Sequence, residues 1–253
     1  MPEADLALLI AAAKIAGKIA LSHWKASPQV WEKPEGQGPV SAADLEVNEA
    51  LAGFLQAARP TYGWLSEETP DSVARLSTQA QFILDPIDGT RSFLQGDSAF
   101  SHALAVVQNG QVTAGVVYLP AMDKLYAATA QGAATLNGVD IRASAPKAEP
   151  RVLTSKSTLA PDHWPGGVPV LHRHFRAGMA WRLCLVAEGA FDAMLTTARI
   201  FGEELNGLLV DDNRNALSDA ALAAIRKQLE GILVKMQAGR IEAGGARALR
   251  LFG

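Results

Sequence analysis

The stretch Leu84-Asp85-Pro86-Ile87-Asp88-Gly89-Thr90 restricts what this chain can fold into more than any other. Phe82-Ile83-Leu84 reads as the end of a buried strand. Pro86 has no N–H to give a sheet ladder, so the chain is expected to leave the sheet there. Asp85 and Asp88 then flank a proline-fixed turn that can aim both carboxylates into one cleft, with the Ile87 carbonyl beside them. Hard divalent cations favour that set of oxygens. Gly89 lets the backbone approach a ligand closely, and Thr90 is placed to open a helix whose free N–H groups attract an anion. Metal and phosphate would share one site. Upstream, Tyr62-Gly-Trp-Leu-Ser66 reads as a strand that delivers Glu67 and Glu68.

Asp85-Pro-Ile-Asp-Gly-Thr90 with Ser66-Glu-Glu68 upstream resembles the inositol monophosphatase family. These are magnesium-dependent, lithium-sensitive phosphomonoesterases that also include 3'(2'),5'-bisphosphate nucleotidases. The resemblance implies a layered αβαβα sandwich, α+β in its first half and α/β in its second, usually as a homodimer. It also implies two or three Mg²⁺ ions held by Glu67, Asp85, Asp88 and the Ile87 carbonyl, with the substrate phosphate on Asp88, Gly89 and Thr90. Glu67 and Thr90 would orient the attacking water, and Glu68 would support structure. Asp44, after Val40-Ser41-Ala42-Ala43, matches a family Asp that lies near the catalytic threonine, and the resemblance implies that it supports the nucleophilic water or a weakly held third metal; its plainer reading is a first-turn acid that complements a helix dipole. The reaction so implied is hydrolysis of a small phosphate monoester, inositol monophosphate or a similar sugar or polyol phosphate. A 3'(2'),5'-bisphosphate nucleotidase is the alternative within the enzyme class. From another class, the alternative is a catalytically weak protein that binds metal and phosphate or a partner.

Composition sets the limits. The 253 residues are 49% hydrophobic and 19% charged, enough for one large or two modest cores. A net charge of -3 gives no electrostatic case for a nucleic-acid polymer or an anionic membrane, so a phosphorylated substrate would be attracted locally. Cys184 is the single cysteine, which rules out an internal disulfide and a thiolate zinc cluster and fits a reducing cytoplasm. The apolar run Leu6 to Ala13 is too short to cross a bilayer and is flanked by Glu3, Asp5, Lys14 and Lys18, so it reads as a helix and secretion is not expected.

In chain order, Leu6, Leu9, Ile10, Ala13, Ala16 and Ile19 predict an amphipathic helix from Pro2 to about Trp24. Residues 27–38 read as an exposed loop, and a second helix follows to about Ala58, with Leu45, Ala52 and Leu55 as candidates for its apolar face. Asn109-Gly110 and Asn137-Gly138 between apolar runs predict hairpins. Residues 146–150 read as a linker between a metal- and phosphate-binding half, 1–145, and a second half, 151–253. A strand from Arg151, a helix from Gly178 to Glu188 and a strand from Gly189 to Leu195 are expected in the latter, with Cys184 as a packed core thiol. His163, His172 and His174 offer no evident complete metal set.

The resemblance stops after Thr197. The family's Trp-Asp-x-Ala-Ala-Gly, whose Asp is a further metal ligand, is absent, and residues 198–240 run instead through Asp211-Asp212-Asn213 and a helical pattern over 218–236. Ile241-Glu-Ala-Gly-Gly245 looks like the family pattern resuming. Glu203 and Glu204 stand near where the missing Asp would be, so a longer carboxylate is one candidate to replace it.

Overall fold

Helix α1 (Pro2–His23) buries small residues, Ala12, Ala13, Ala16, Gly17 and Ala20, together with Leu9, and so packs close to its neighbours. A Cβ at Gly17 would come within 2.6 Å of the Tyr118 ring. The computed structural model describes residues 2–33, 38–145, 147–161, 164 and 167–196. Leu6, Ile10 and Ile19, expected on the inner face, lie partly buried against the same core. Asp5 is buried too, its oxygens satisfied by Arg59, Tyr62 and Gln108.

Helix α2 (Ala42–Ala58) buries Val47, Leu51 and Leu55, an i, i+4 stripe, with Ala43. Leu55 is thus on the apolar face as expected, but Leu45 is 42% exposed and Ala52 only partly buried. The correct stripe runs through the β-branched Val47, which the sequence reading passed over. Residues 27–38 are likewise not all loop. Strand β1 (Val30–Glu32) pairs antiparallel with β2 (Pro39–Ser41), because Val30 and Trp31 favour extended backbone even on an exposed ribbon.

Strands β3 (Gly63–Ser66), β4 (Ala80–Asp88), β5 (Ser101–Gln108), β6 (Gln111–Leu119), β7 (Lys124–Thr129), β8 (Thr135–Leu136) and β9 (Val139–Asp140) form a 7-stranded sheet in that order. Only the pair β3·β4 is parallel. Asn109 (φ 50) with Gly110 (φ 72), and Asn137 (φ 50) with Gly138 (φ 80), make the two tight hairpins that the sequence marks. Period 2 sorts the sheet's side chains. Leu104, Val106 and Val116 join α1 and α2 in one core, whereas Ala103, Val117, Leu119 and Tyr126 face a second.

That second core is completed by strand β10 (Arg151–Leu153), helix α4 (Met179–Ala187) and strand β12 (Ala193–Met194). Strand β11 (His172–His174) lies on one side of β10 and β12 on the other, both parallel to it. Cys184 is fully buried there, and burial pushes its thiol well above the ordinary range, as suits a packing residue. Among the described residues the layers are therefore two helices, the large sheet, α4 and the small sheet, an α/β sandwich. Residues 198–240, Glu203 and Glu204 among them, lie outside the described residues, as does His163.

Candidate active site

Strand β4 does not end before Pro86. It continues to Asp88 across a bulge: Asp85 pairs with Ala103 and Asp88 with Ser101, so Pro86 and Ile87 together face His102 alone. The bulge absorbs the missing proline N–H, and the orphaned turn of backbone is used: the Pro86 carbonyl accepts from Nδ1 of the buried His102. After the bulge Gly89 takes φ 92 and caps the short helix α3 (Thr90–Leu94). A Cβ at Gly89 would lie 2.9 Å from the Ala99 carbonyl oxygen, so no other residue fits without a shift.

The parallel pair β3·β4 brings the two acidic motifs together. The Glu67 amide donates to the Leu84 carbonyl at 3.3 Å, which sets Glu67 beside Asp85. Ser66 Oγ donates to Asn48 Oδ1 at 2.7 Å and accepts weakly from the Glu68 amide at 3.4 Å, so α2 pins the Glu-Glu turn. Asp85 is half-buried as a residue, but its Oδ1 is sealed from solvent and has no hydrogen-bond partner. Burial, then Glu67, Asp88 and Asp44, push its carboxyl well above the usual carboxylate range. Such an oxygen, short of any donor and surrounded by acids, calls for a cation.

Asp44 is 1% exposed at the third position of α2. Its Oδ2 accepts from the Ser41 amide at 2.9 Å and the Ser41 hydroxyl at 2.5 Å, a capping box that Ser41-Ala-Ala-Asp44 announces in sequence. Asp44 thus stands in the first turn of α2, as its plainer reading expects, and its other oxygen does something more. Thr90 Oγ1 lies 3.3 Å from Asp44 Oδ1 and 3.1 Å from the Ile87 carbonyl oxygen, so one hydroxyl joins the helix cap to the Asp-Pro-Ile-Asp turn. Burial raises the Asp44 carboxyl above its ordinary value against the pull of these donors.

Asp88 points to the second core. Its Oδ1 accepts from the Met179 amide at 3.0 Å, and its Oδ2 from the Ala180 amide at 2.9 Å and Ser101 Oγ at 3.3 Å. It thus caps α4, and a Cβ at Gly178 would sit 3.1 Å from Oδ2. Glu67 and Glu68 are each bridged by the Lys33 ammonium at 2.7 Å. As they stand, no three His, Cys, Asp or Glu side chains among the described residues are grouped to hold a metal ion. Each carboxylate nonetheless has a lone pair to spare, and Asp85 is the least satisfied of them.

Sequence reasoning brought out Glu67, Asp85, Ile87, Asp88, Gly89, Thr90 and Asp44, and the fold gathers their segments at the ends of β3 and β4 and the head of α2. It missed Lys33, Asn48, Ser101 and His102. None had a decisive local signal: Asn48 lies one turn from Asp44, but Glu46 and Glu49 beside it are polar as well. His172 bonds Glu149 at 3.2 Å and His174 packs edge-on to Phe191, which gives each a local partner instead of a shared ion. A cleft of about 570 Å³ lined by Thr61, Tyr62, Gln79 and Gln108 lies at the far end of β4 and contains none of these residues.

No helix among the described residues is long and apolar enough to cross a membrane. The chain is 41% identical over 103 residues to an inositol-1-monophosphatase of Mesorhizobium japonicum, a stretch that spans 41% of this chain and only 38% of that relative. It is 32% identical over 195 residues to a histidinol-phosphatase of Chlorobaculum parvum, 73% of each chain. To the 3'(2'),5'-bisphosphate nucleotidase CysQ of Salmonella typhimurium it is 29% identical, over 65% of this chain and 68% of the relative. The solved extragenic suppressor protein suhB of Bartonella henselae matches with TM-score 0.67 and 25% identity, over 89% of this chain and 85% of that one. A family model for the ZipA C-terminal FtsZ-binding domain matches residues 185–228, most of which lie outside the described residues. The model of the inositol monophosphatase family matches residues 1–202, which take in both acidic motifs, the Asp44 cap and α4, and the chain belongs to that family.

Proposed function

We propose that this chain hydrolyses a small phosphate monoester with the help of divalent cations. The observation that carries the proposal is the sealed, unpartnered Oδ1 of Asp85 beside Glu67 and Asp88. Glu67, Asp85, Asp88 and the Ile87 carbonyl would hold Mg²⁺, two or three ions by family resemblance. Bound there, the ions supply charge neutralisation of the phosphate and a lowered pKa for the attacking water. The chain's own groups do the rest. Asp44 Oδ1 and the Ile87 carbonyl fix the Thr90 hydroxyl, which orients the water in line with the ester bond and passes its proton toward Asp44. The amides of Gly89 and Thr90 would face the phosphate, in a turn that Gly89 alone can take because a Cβ there would strike the Ala99 carbonyl. The water oxygen bonds to phosphorus, the ester P–O bond breaks, and the alcohol leaves with a proton from solvent.

Inositol monophosphate or a similar polyol phosphate is the first candidate substrate. One observation favours a second reading, a 3'(2'),5'-bisphosphate nucleotide. Arg182 on α4 is half-buried, feels the charge of Asp88, stacks on Phe175, and forms no ion pair among the described residues. A cation so placed suits a substrate with a second anionic group. The test is phosphate release from inositol 1-phosphate, histidinol phosphate and adenosine 3',5'-bisphosphate with Mg²⁺, with EDTA and with lithium. Release that is Mg²⁺-dependent and lithium-sensitive is expected. Release that survives EDTA refutes the metal reading, and a protein that binds Mg²⁺ without turning over any substrate belongs to the catalytically weak class.

A further inference from the structure

Lys33 follows β1, where its amide donates to the Gly38 carbonyl at 2.9 Å and so closes the β1–β2 ribbon. Its side chain crosses to the turn after β3 and gives one short bond to Glu67 Oε1 and another to Glu68 Oε1, 2.7 Å each. The side chain is 12% exposed, Glu68 7% and Glu67 30%. Burial opposes the charge on Lys33, but Glu67 and Glu68 outweigh it and hold the ammonium above the ordinary lysine range, so it stays cationic at neutral pH. Its field also reaches Asp44 and Asp85, whose charged forms it favours. The acids at this centre thus share a covalently tethered cation.

Glu67 is the most exposed member of this bridge and the one our reading makes a metal ligand. An oxygen that binds an ammonium cannot present the same lone pair to a divalent ion, and two cations at that distance repel. We propose that Lys33 is a displaceable counter-cation: its ammonium neutralises Glu67 in place of a divalent ion, and repulsion between the two cations moves it off Glu67 when the ion binds. Lys33 then sets the metal affinity of the site. Glu68, the more buried glutamate, gains a purpose that metal ligation does not give it, as the anchor on which Lys33 remains when Glu67 turns to the ion. The inference rests on the metal reading above.

The test uses the full chain at neutral pH and Mn²⁺ titration followed by electron paramagnetic resonance. Lys33→Met should bind Mn²⁺ about tenfold more tightly, since the ion no longer breaks a charge-assisted bond that is only partly screened. Lys33→Arg, which keeps the cation, should stay near the unaltered affinity. In EDTA, Lys33→Met should melt at lower temperature, because Glu67 and Glu68 then repel unopposed. A second measurement needs no variant: acylation of the Lys33 amine, read by peptide mass spectrometry, should rise when Mn²⁺ is added. Equal or weaker Mn²⁺ binding by Lys33→Met, or Lys33 acylation unmoved by Mn²⁺, overturns the role of Lys33 while leaving the metal site intact. Absence of Mn²⁺ binding by both proteins overturns the metal site, and this inference with it.

Discussion

His102 offers a quantitative check on how the Pro86 bulge is built. The ring is fully buried between Phe100 and Tyr118, with centroids 6.4 and 6.5 Å away. To donate to the Pro86 carbonyl it must carry its proton on Nδ1, which leaves Nε2 bare and without a partner. A second proton on Nε2 would be a charge in a sealed apolar space, and burial pulls the pKa from 6.5 down to about 4, the Pro86 carbonyl acting in the opposite direction. Between these values the unfolded chain holds a proton that the folded one does not, so stability falls as the pH falls from about 6.5 to about 4 and loses nothing more below. At 1.36 kcal/mol per unit the loss is about 3 kcal/mol. Asp44, Glu68, Asp85 and Asp88 have raised carboxyls and push the profile the other way, so the difference between two proteins is the useful quantity. In His102→Asn the amide nitrogen can take the place of Nδ1, while the lost ring volume costs a pH-independent ~1–2 kcal/mol. Urea unfolding of both proteins in EDTA should show their stability gap change by about 3 kcal/mol between pH 7 and pH 4, in favour of the variant. A gap that stays constant to within about 0.5 kcal/mol refutes the sealed-imidazole argument.

Asp85→Asn should abolish hydrolysis yet raise the melting temperature in EDTA at pH 7.5. The folded carboxyl is raised, so its ionised form carries a penalty at neutral pH that disappears below the unfolded pKa; a variant that melts lower at every pH marks Asp85 as structural. Thr90→Ala should lower kcat about a hundredfold with little change in KM, by steady-state kinetics, because in the proposed mechanism the hydroxyl held by Asp44 and Ile87 acts on the water and not on the ground-state substrate. Asp192 accepts from Ser144, Lys147 and Arg151 with its side chain 3% exposed, and its carboxyl is held far below the usual range despite the cost of burial. Asp192→Asn should therefore lose about 2 kcal/mol in urea unfolding at pH 7, a loss that shrinks as the pH falls through the ordinary carboxylate range.

The parts of this fold that were legible in sequence are those decided by neighbours along the chain. Asn109-Gly110 forced a turn because both residues tolerate positive φ, and Leu9, Ala13 and Ala16 marked the buried face of α1 by their spacing along one helix. The illegible parts depend on distant segments. Pro86 was expected to end its strand, and it does not, because His102 supplies the donor that makes a bulge worth keeping. Lys33 could not be placed, since nothing near it in sequence says that its ammonium reaches residues 34 and 35 positions away. The acidic motifs themselves were readable because Asp85, Asp88 and Gly89 stand in one proline-marked stretch whose order, with Ser66-Glu-Glu68, matches the family; the β3·β4 pairing that brings Glu67 to them was not.

The bond between Asp88 and the head of α4 joins residues 91 and 92 positions apart, which has a meaning during synthesis. When the large sheet has left the ribosome, the Asp88 carboxylate still lacks the Met179 and Ala180 amides that will hold it, and it stands beside Asp85 and Glu67 with only Ser101 to bond. The acidic centre is therefore finished late, when α4 emerges and docks, and a nascent or truncated chain that ends before Met179 carries the motif without the geometry. Maturation of the site and docking of α4 are one event.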